Sequence, residues 1–185
     1  MRKDFGAKPT VYPMPVLMIA TYSDDGTPDV MNAAWGMITD ASEITISLSE
    51  HKTTENLRKK GAFTVSMATE ETVVACDYVG IVSAKDEPDK FAKAGFTAEK
   101  SEKVDAPIIK ELPICVECKL KSYDKETCRL VGEIVNVSVD ERVLDKNGNV
   151  DVAKAAPITF DPFNNAYIRL GEKVGDAFKA GAALK

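Results

Sequence analysis

Apolar and polar positions alternate with a period of two along several short runs of this chain, and that pattern predicts β-strands. Ser42 to Ser49 sets Ile44, Ile46 and Leu48 against Thr45, Ser47 and Ser49, a buried row facing away from a hydroxyl row that meets solvent or ligand. Ala62 to Ala68 repeats the pattern. Leu112 to Lys121 alternates Ile114, Val116, Cys118 and Leu120 with Cys115, Glu117 and Lys119. Arg129 to Val139 sets Leu130, Ile134 and its valines against polar positions, and Gly132 marks a bend or bulge there. Tyr12 to Ser23 predicts a lead-in and then a buried strand. Asp24-Asp25-Gly26-Thr27 predicts a hairpin turn, because Asp-Gly supports positive φ, and Pro28 to Trp35 is the returning strand. Pro157 to Phe160 predicts an extended stretch and Ala166 to Leu170 a last strand.

Helical spacing is confined to short segments. Glu55 to Lys60 predicts a helix stopped by Gly61, where glycine suits the left-handed residue that ends a helix. Glu70 to Val79 predicts another, with acids at its start, Val73, Val74 and Tyr78 on one face, and Gly80 behind. Asp89 to Ala94 is closed by Gly95, Val152 to Ala156 is a short helix or turn, and Val174 to Lys185 predicts a fraying helix of Ala, Gly and Lys. Ser83 to Pro88 reads as a loop and Asp145 to Asn149 as a turn. The charged, irregular run from Phe96 to Pro107 predicts cover over a sheet edge. Six or seven short strands with scattered helices predict a mainly β protein, a closed or split β-barrel, in a single domain spanning 1–185. No βαβ alternation, GxGxxG or Walker A sequence points to a Rossmann or P-loop fold.

Composition narrows the partners. The chain has 185 residues, a net charge of −5 and no dense basic run, which argues against nucleic acid. Met1-Arg2-Lys3-Asp4-Phe5 continues into Gly, Lys and Pro rather than a signal-peptide core, and Val16 to Ala20 is too short to span a bilayer, so no membrane partner and a cytoplasmic location are expected. The four cysteines do not make a disulfide framework in a chain this long. Cys115-Val116-Glu117-Cys118 is formally a CxxC, but residues three apart on a strand face opposite sides. This predicts Cys118 in the core and Cys115 as a surface thiol, with no metal site.

The chemistry concentrates between Met31 and Asn56. Met31-Asn32-Ala33-Ala34-Trp35-Gly36 is a strand end of small residues carrying the only Trp, and His51-Lys52-Thr53-Thr54-Glu55-Asn56 is a hydroxyl-rich turn at a helix start. Free backbone N–H groups and two Thr hydroxyls make such a start a ready anion site. Beside a stacking ring, it suggests a phosphate-bearing aromatic ligand such as flavin mononucleotide (FMN). The same residues also suit a core Trp and an ordinary capped helix. His51 reads as a solvated loop histidine, with no Ser or Cys constellation around it and no catalytic side chain implied. Lys90 reads by default as a solvated helix lysine, and Phe160 as a core anchor between Pro157 and Pro162.

In order and spacing, several motifs resemble the flavin reductase-like, FMN-binding split-barrel proteins, and among them the flavoredoxins. They are Pro15-Val16, the Asp-Gly hairpin, Val30-Met31-Asn32-Ala33-Ala34-Trp35-Gly36, the Ser/Thr helix start, Asp77-Tyr78-Val79-Gly80-Ile81-Val82-Ser83, Asp89-Lys90-Phe91, Val104-Asp105-Ala106-Pro107 and Gly132-Glu133-Ile134. The resemblance covers roughly Lys8 to Leu170. It implies a split β-barrel of Greek-key type, a homodimer, and FMN held noncovalently near the subunit interface. It further implies electron transfer from NADH or NADPH through the flavin, or an FMN carrier reduced by a redox partner protein; a split-barrel binding protein without redox turnover is a third possibility. The residues matched to the cofactor are Asn32, Ala33, Ala34, Trp35, Ser49, Lys52, Thr53, Thr54, Lys90 and Phe160. Two departures stand out: some flavoredoxins have Asn where this chain has Asp29, and some carry a His where this chain reads Thr127-Cys128-Arg129.

Overall fold

The computed structural model describes residues 1–184. Its strands are β1 (Met14–Pro15), β2 (Leu17–Tyr22), β3 (Pro28–Ala33), β4 (Gly36–Asp40), β5 (Glu43–Ser47), β6 (Ala62–Met67), β7 (Ala98–Lys100), β8 (Pro107–Ile109), β9 (Ile114–Asp124), β10 (Arg129–Val139), β11 (Ile158–Asp161) and β12 (Ala166–Arg169). Its helices are α1 (Lys52–Lys60), α2 (Val73–Ile81), α3 (Lys90–Lys93) and α4 (Val152–Ala155).

The principal sheet is seven-stranded, in the order β3-β2-β6-β9-β10-β5-β4, and every pairing in it is antiparallel. Laid flat at about 4.8 Å between neighbours, seven strands would hold their outer edges about 29 Å apart. Yet the two edge strands, β3 and β4, are joined only by Ala34 and Trp35. That connection is three Cα–Cα steps of about 3.8 Å. The sheet therefore has to curl until its edges meet at Trp35, which makes it the barrel expected from the strand pattern, of the split type that the resemblance implies.

The curl creates an interior and an exterior core. Inside lie Leu17, Ile19, Ile44, Ile46, Leu48, Phe63, Val65, Cys118 and Leu130, with Leu57 of α1 closing one end. Outside, Val16, Met18 and Ala20 meet Cys76 and Val79 of α2, Phe91 of α3, and Phe96 and Ile109. β2 is thus buried on both faces, which is why Leu17 to Ala20 is a continuous apolar run rather than an alternating one. Gly132 sits at a register shift of β10 against β9, where a Cβ would come within 2.4 Å of Phe63 Cζ. The glycine there is a packing requirement. Gly26 and Gly61 take the positive φ values, 83° and 65°, that the hairpin turn and the helix stop require.

Several expectations need correction. β4 carries no alternation and was not anticipated; it forms because it pairs with β5. α1 begins at Lys52 rather than Glu55, since Thr53 and Thr54 already lie in its first turn. α2 is displaced to Val73–Ile81, so Gly80 lies inside it. The Phe96 to Pro107 run holds β7, which pairs with β8, and β8 lies against the outer face of the middle strands β2 and β6 rather than along an edge. Its cover explains the second thiol: Cys115 is 2% exposed, so it is buried and not a surface thiol. The anticipated tail helix is only a 3-10 turn, Ala180–Leu184, because Val174 and Phe178 find nothing to bury against; Lys185 lies outside the described residues.

Burial pushes the thiols of Cys76 and Cys115 up to about 11 and that of Cys118 up to about 12, away from the reactive thiolate. Alkylation of the native protein should therefore label Cys128, the partly exposed one, and spare the other three. Mass spectrometry of the labelled protein checks this; rapid labelling of Cys115 would contradict the cover that β7 and β8 provide.

Candidate functional site

The start of α1 is built by its own side chains. Thr54 Oγ1 accepts from the His51 backbone N–H at 2.6 Å and donates to the His51 carbonyl at 2.8 Å, so His51 serves as the cap residue. Thr53 Oγ1 donates to Asp29 Oδ2 at 2.7 Å. Both hydroxyl protons are thus directed within the chain, and what the helix start offers outward is its first-turn N–H groups and the Lys52 ammonium.

Lys90 is not a solvated lysine. It is 3% exposed and Asp29 2%, and Lys90 Nζ stands 3.3 Å from Asp29 Oδ1 while donating to the carbonyls of Val79 and Val82 at 3.2 and 3.1 Å. The contact to Asp29 Oδ1 lacks the alignment of a hydrogen bond, so that oxygen is held by charge alone. The buried pair is neutral as a unit and anchors α3, α2 and β3 to one another.

Around this anchor lies a cavity of about 270 Å³ whose polar side is lined by Asn32, His51, Lys52, Thr53, Ser83 and Lys90 and whose apolar side includes Met31, Val79 and Ile81. Asn32 Nδ2 donates to the Cys76 carbonyl at 3.1 Å and lies over Gly80, where a Cβ would fall 2.2 Å from it. A second, larger cavity of about 690 Å³ runs along the joined barrel edges. Trp35, 55% exposed, stands on one side, and Val11, Pro13 and Met14 on the other. Thr39, Thr45, Ser47, Thr127 and Arg129 add polar residues to its lining.

The residues singled out in the sequence are therefore divided. Asn32, Lys52, Thr53 and Lys90 line the polar cavity, and Ala34 and Trp35 line the groove. Ala33 lies between the two sets, so a single strand end links both cavities. Thr54 is buried within the helix start. Ser49 lines neither cavity, although Ser47 and His51 on either side of it each line one. Phe160 is in neither; it pairs with Met14 behind the groove wall, with its ring 6.3 Å from that of Tyr167.

Sequence reasoning missed the wall formed by Lys8 to Met14. That segment has no periodicity, and distant contacts place it: the Tyr12 hydroxyl donates to Asp161, the Tyr12 ring stacks on Phe163 at 5.9 Å, and Met14 pairs with β11 and exchanges hydrogen bonds with Thr159. Tyr12 first, and Asn164 after it, lowers the Asp161 carboxyl to about 2. A depressed carboxyl contributes above its unfolded value, about 3.9, and the contribution is lost as pH falls through the folded one. Acidifying from pH 4 to pH 2 should loosen the Tyr12 end of this wall, while Met14 stays paired with β11, and shift the emission of Trp35, the only Trp. Tyr12→Phe should lack that step; the same transition in both proteins would contradict the contact.

No helix among the described residues is long and apolar enough to cross a membrane. Comparison with known proteins agrees with the geometry. The Flavin reductase like domain family model matches residues 10–156. The flavoredoxin of Desulfovibrio vulgaris (Miyazaki F) is 38% identical, with a TM-score of 0.92 over 98% of this chain and 100% of that one. A flavoredoxin from Methanosarcina acetivorans is 25% identical, with a TM-score of 0.86 over 100% of this chain and 98% of its own. An FMN-binding domain of a flavin reductases-like enzyme from Shewanella baltica OS155, 20% identical, shares the fold with a TM-score of 0.78 over 88% of each chain. A barrel whose edges close at an exposed Trp, beside an anion-ready helix start, thus carries the sequence of the flavin reductase-like family, and the chain belongs to it.

Proposed function

We propose that this chain is an FMN-dependent oxidoreductase that passes electrons from NADH or NADPH, through noncovalently bound FMN, to free flavin or another acceptor. The observation that carries the reading is the pair of cavities joined by Asn32 to Trp35, one polar and cationic, the other walled by an aromatic ring. The donor set fits the cofactor. A flavin phosphate is an anion that helix N–H groups and an ammonium stabilise. A flavin ring requires apolar or aromatic faces and a few polar contacts at its edge.

In this reading Lys52, the first-turn N–H groups and the Thr53-Thr54 start hold the phosphate. Lys90 braces that turn through Asp29 and Thr53. Ala33 and Ala34 leave room for the ring, Trp35 covers it, and Asn32 and Ser49 supply polar contacts nearby. Phe160 supports the opposite wall through Met14. Once bound, FMN itself supplies the two-electron chemistry, so no acid–base triad is required of the protein. Trp35, Met37 and Ile38 leave apolar surface exposed along β4 and its approach. A second copy covering that edge gives the homodimer that the resemblance implies.

The exposure of Trp35 also favours a second reading, a carrier that keeps its FMN and is reduced by a redox partner protein. Mixing the FMN-loaded protein with NADH or NADPH without oxygen decides between them. Rapid bleaching of the yellow colour supports the enzyme, and bleaching only by a reduced protein partner supports the carrier.

A further inference from the structure

We propose that Arg129 stabilises the negative charge of reduced flavin in the Trp35 groove and so raises the reduction potential of bound FMN. The inference rests on the FMN reading above and deepens it. Arg129 opens β10, directly across from Ser47 on β5, and lines the groove together with Trp35, Thr45 and Ser47. Arg58, Arg142 and Arg169 each hold a carboxylate, whereas Arg129 makes no ion pair among the described residues. The nearest acid in register is Asp124 on β9, whose oxygens accept from the Thr127 hydroxyl and the N–H groups of Glu126 and Thr127; the charge of Arg129 helps to lower its carboxyl, but the two make no ion pair. The other cation of the groove, Lys8, lies over the Phe5 ring.

Arg129 thus brings to a partly apolar groove a guanidinium that no carboxylate holds in an ion pair among the described residues. The phosphate is assigned to the other cavity, and the oxidised ring system is neutral. Reduction of bound FMN would add a negative charge there: a hydride from a reduced nicotinamide would bring two electrons and one proton to the ring and leave it with one net negative charge. A guanidinium sharing the cavity favours that charged form, and the apolar walls of Val11, Pro13 and Met14 lessen the screening of the attraction. The oxidised ring gains nothing comparable, so the effect is on the potential and not on FMN uptake.

Arg129 is exposed and makes no side-chain bond among the described residues, so Arg129→Gln and Arg129→Lys should fold as the wild type does. Each FMN-loaded protein is titrated anaerobically against a dye of known potential, and oxidised FMN is titrated separately into each apoprotein. The expected result is unchanged affinity for oxidised FMN and a tenfold weaker preference for the reduced form in Arg129→Gln. That preference corresponds to a fall of about 30 mV for a two-electron couple. Arg129→Lys should keep most of the wild-type potential. An Arg129→Gln potential equal to wild type overturns the proposal; if KM for the nicotinamide then rises, the guanidinium serves that substrate's phosphates instead. Failure of the wild type to take up FMN is a separate result, and it removes the FMN reading and this inference together.

Discussion

Replacing Lys90 by methionine should destabilise the protein by about 3–5 kcal/mol, the cost of leaving one partner of a buried ion pair without the other. Asp29 is 2% exposed, and its remaining contact would be the Thr53 hydroxyl. The carboxylate has no route to water without moving β3 or the start of α1. Lys90→Met with Asp29→Leu removes both charges and should recover most of the loss, because a well-packed apolar pair often replaces a buried ion pair at little net cost. Urea unfolding of the two single variants and the double one measures it. A Lys90→Met protein within 1 kcal/mol of wild type (about one-third of the smallest expected effect) would show that the pair does not hold these elements together. The pair also bears on ligand charge: with Asp29 neutralising Lys90, the polar cavity's net attraction for an anion falls to Lys52 and the helix start.

Trp35→Ala should behave in the opposite way, weakening FMN binding while barely altering stability. The ring is 55% exposed and belongs to neither core, so the protein alone has little to lose. A ligand ring stacked on it would forfeit about 1.5–3 kcal/mol of apolar and aromatic contact. That is a tenfold to hundredfold rise in Kd, at about 1.4 kcal/mol per factor of ten. Fluorescence titration with FMN, beside thermal unfolding of the free protein, separates the two quantities. A large loss of thermal stability with unchanged FMN affinity would return Trp35 to a purely structural role.

Much of the barrel was legible because its strands obey local rules. The alternation in Ser42 to Ser49 and Arg129 to Val139, the Asp-Gly hairpin and the glycine stop after Lys60 each depend on neighbours a few residues away. What stayed hidden depends on distant contacts. β4 exists through its pairing with β5, and Cys115 is buried by a hairpin whose residues read as a charged loop. The wall from Lys8 to Met14 is held through Tyr12 and Asp161, which are 149 residues apart, and through Met14 and Thr159, 145 apart. The candidate site divides in the same way. The hydroxyl row predicted to face solvent or ligand does line the groove through Thr45 and Ser47, and the Thr pair does stand at a helix start. The fate of Lys90 could not be read, because nothing local announces that its partner is Asp29, on a strand far earlier in the chain. Arg129 stood out only as part of a departure from the flavoredoxin pattern, because its place in the groove depends on Ser47, its neighbour across the sheet and far away in sequence.

The central claim is that the polar cavity at the start of α1 binds the phosphate of a flavin whose ring lies beside Trp35. Parallel titrations of the apoprotein with FMN and with riboflavin test it most directly, since the two ligands differ only in the phosphate. Charge-assisted contacts of roughly 1.5–3 kcal/mol predict that FMN binds at least tenfold more tightly than riboflavin, at one flavin per chain. Lys52→Gln should narrow that difference by raising the Kd of FMN alone. Equal affinity for the two flavins in the wild-type protein would contradict the account.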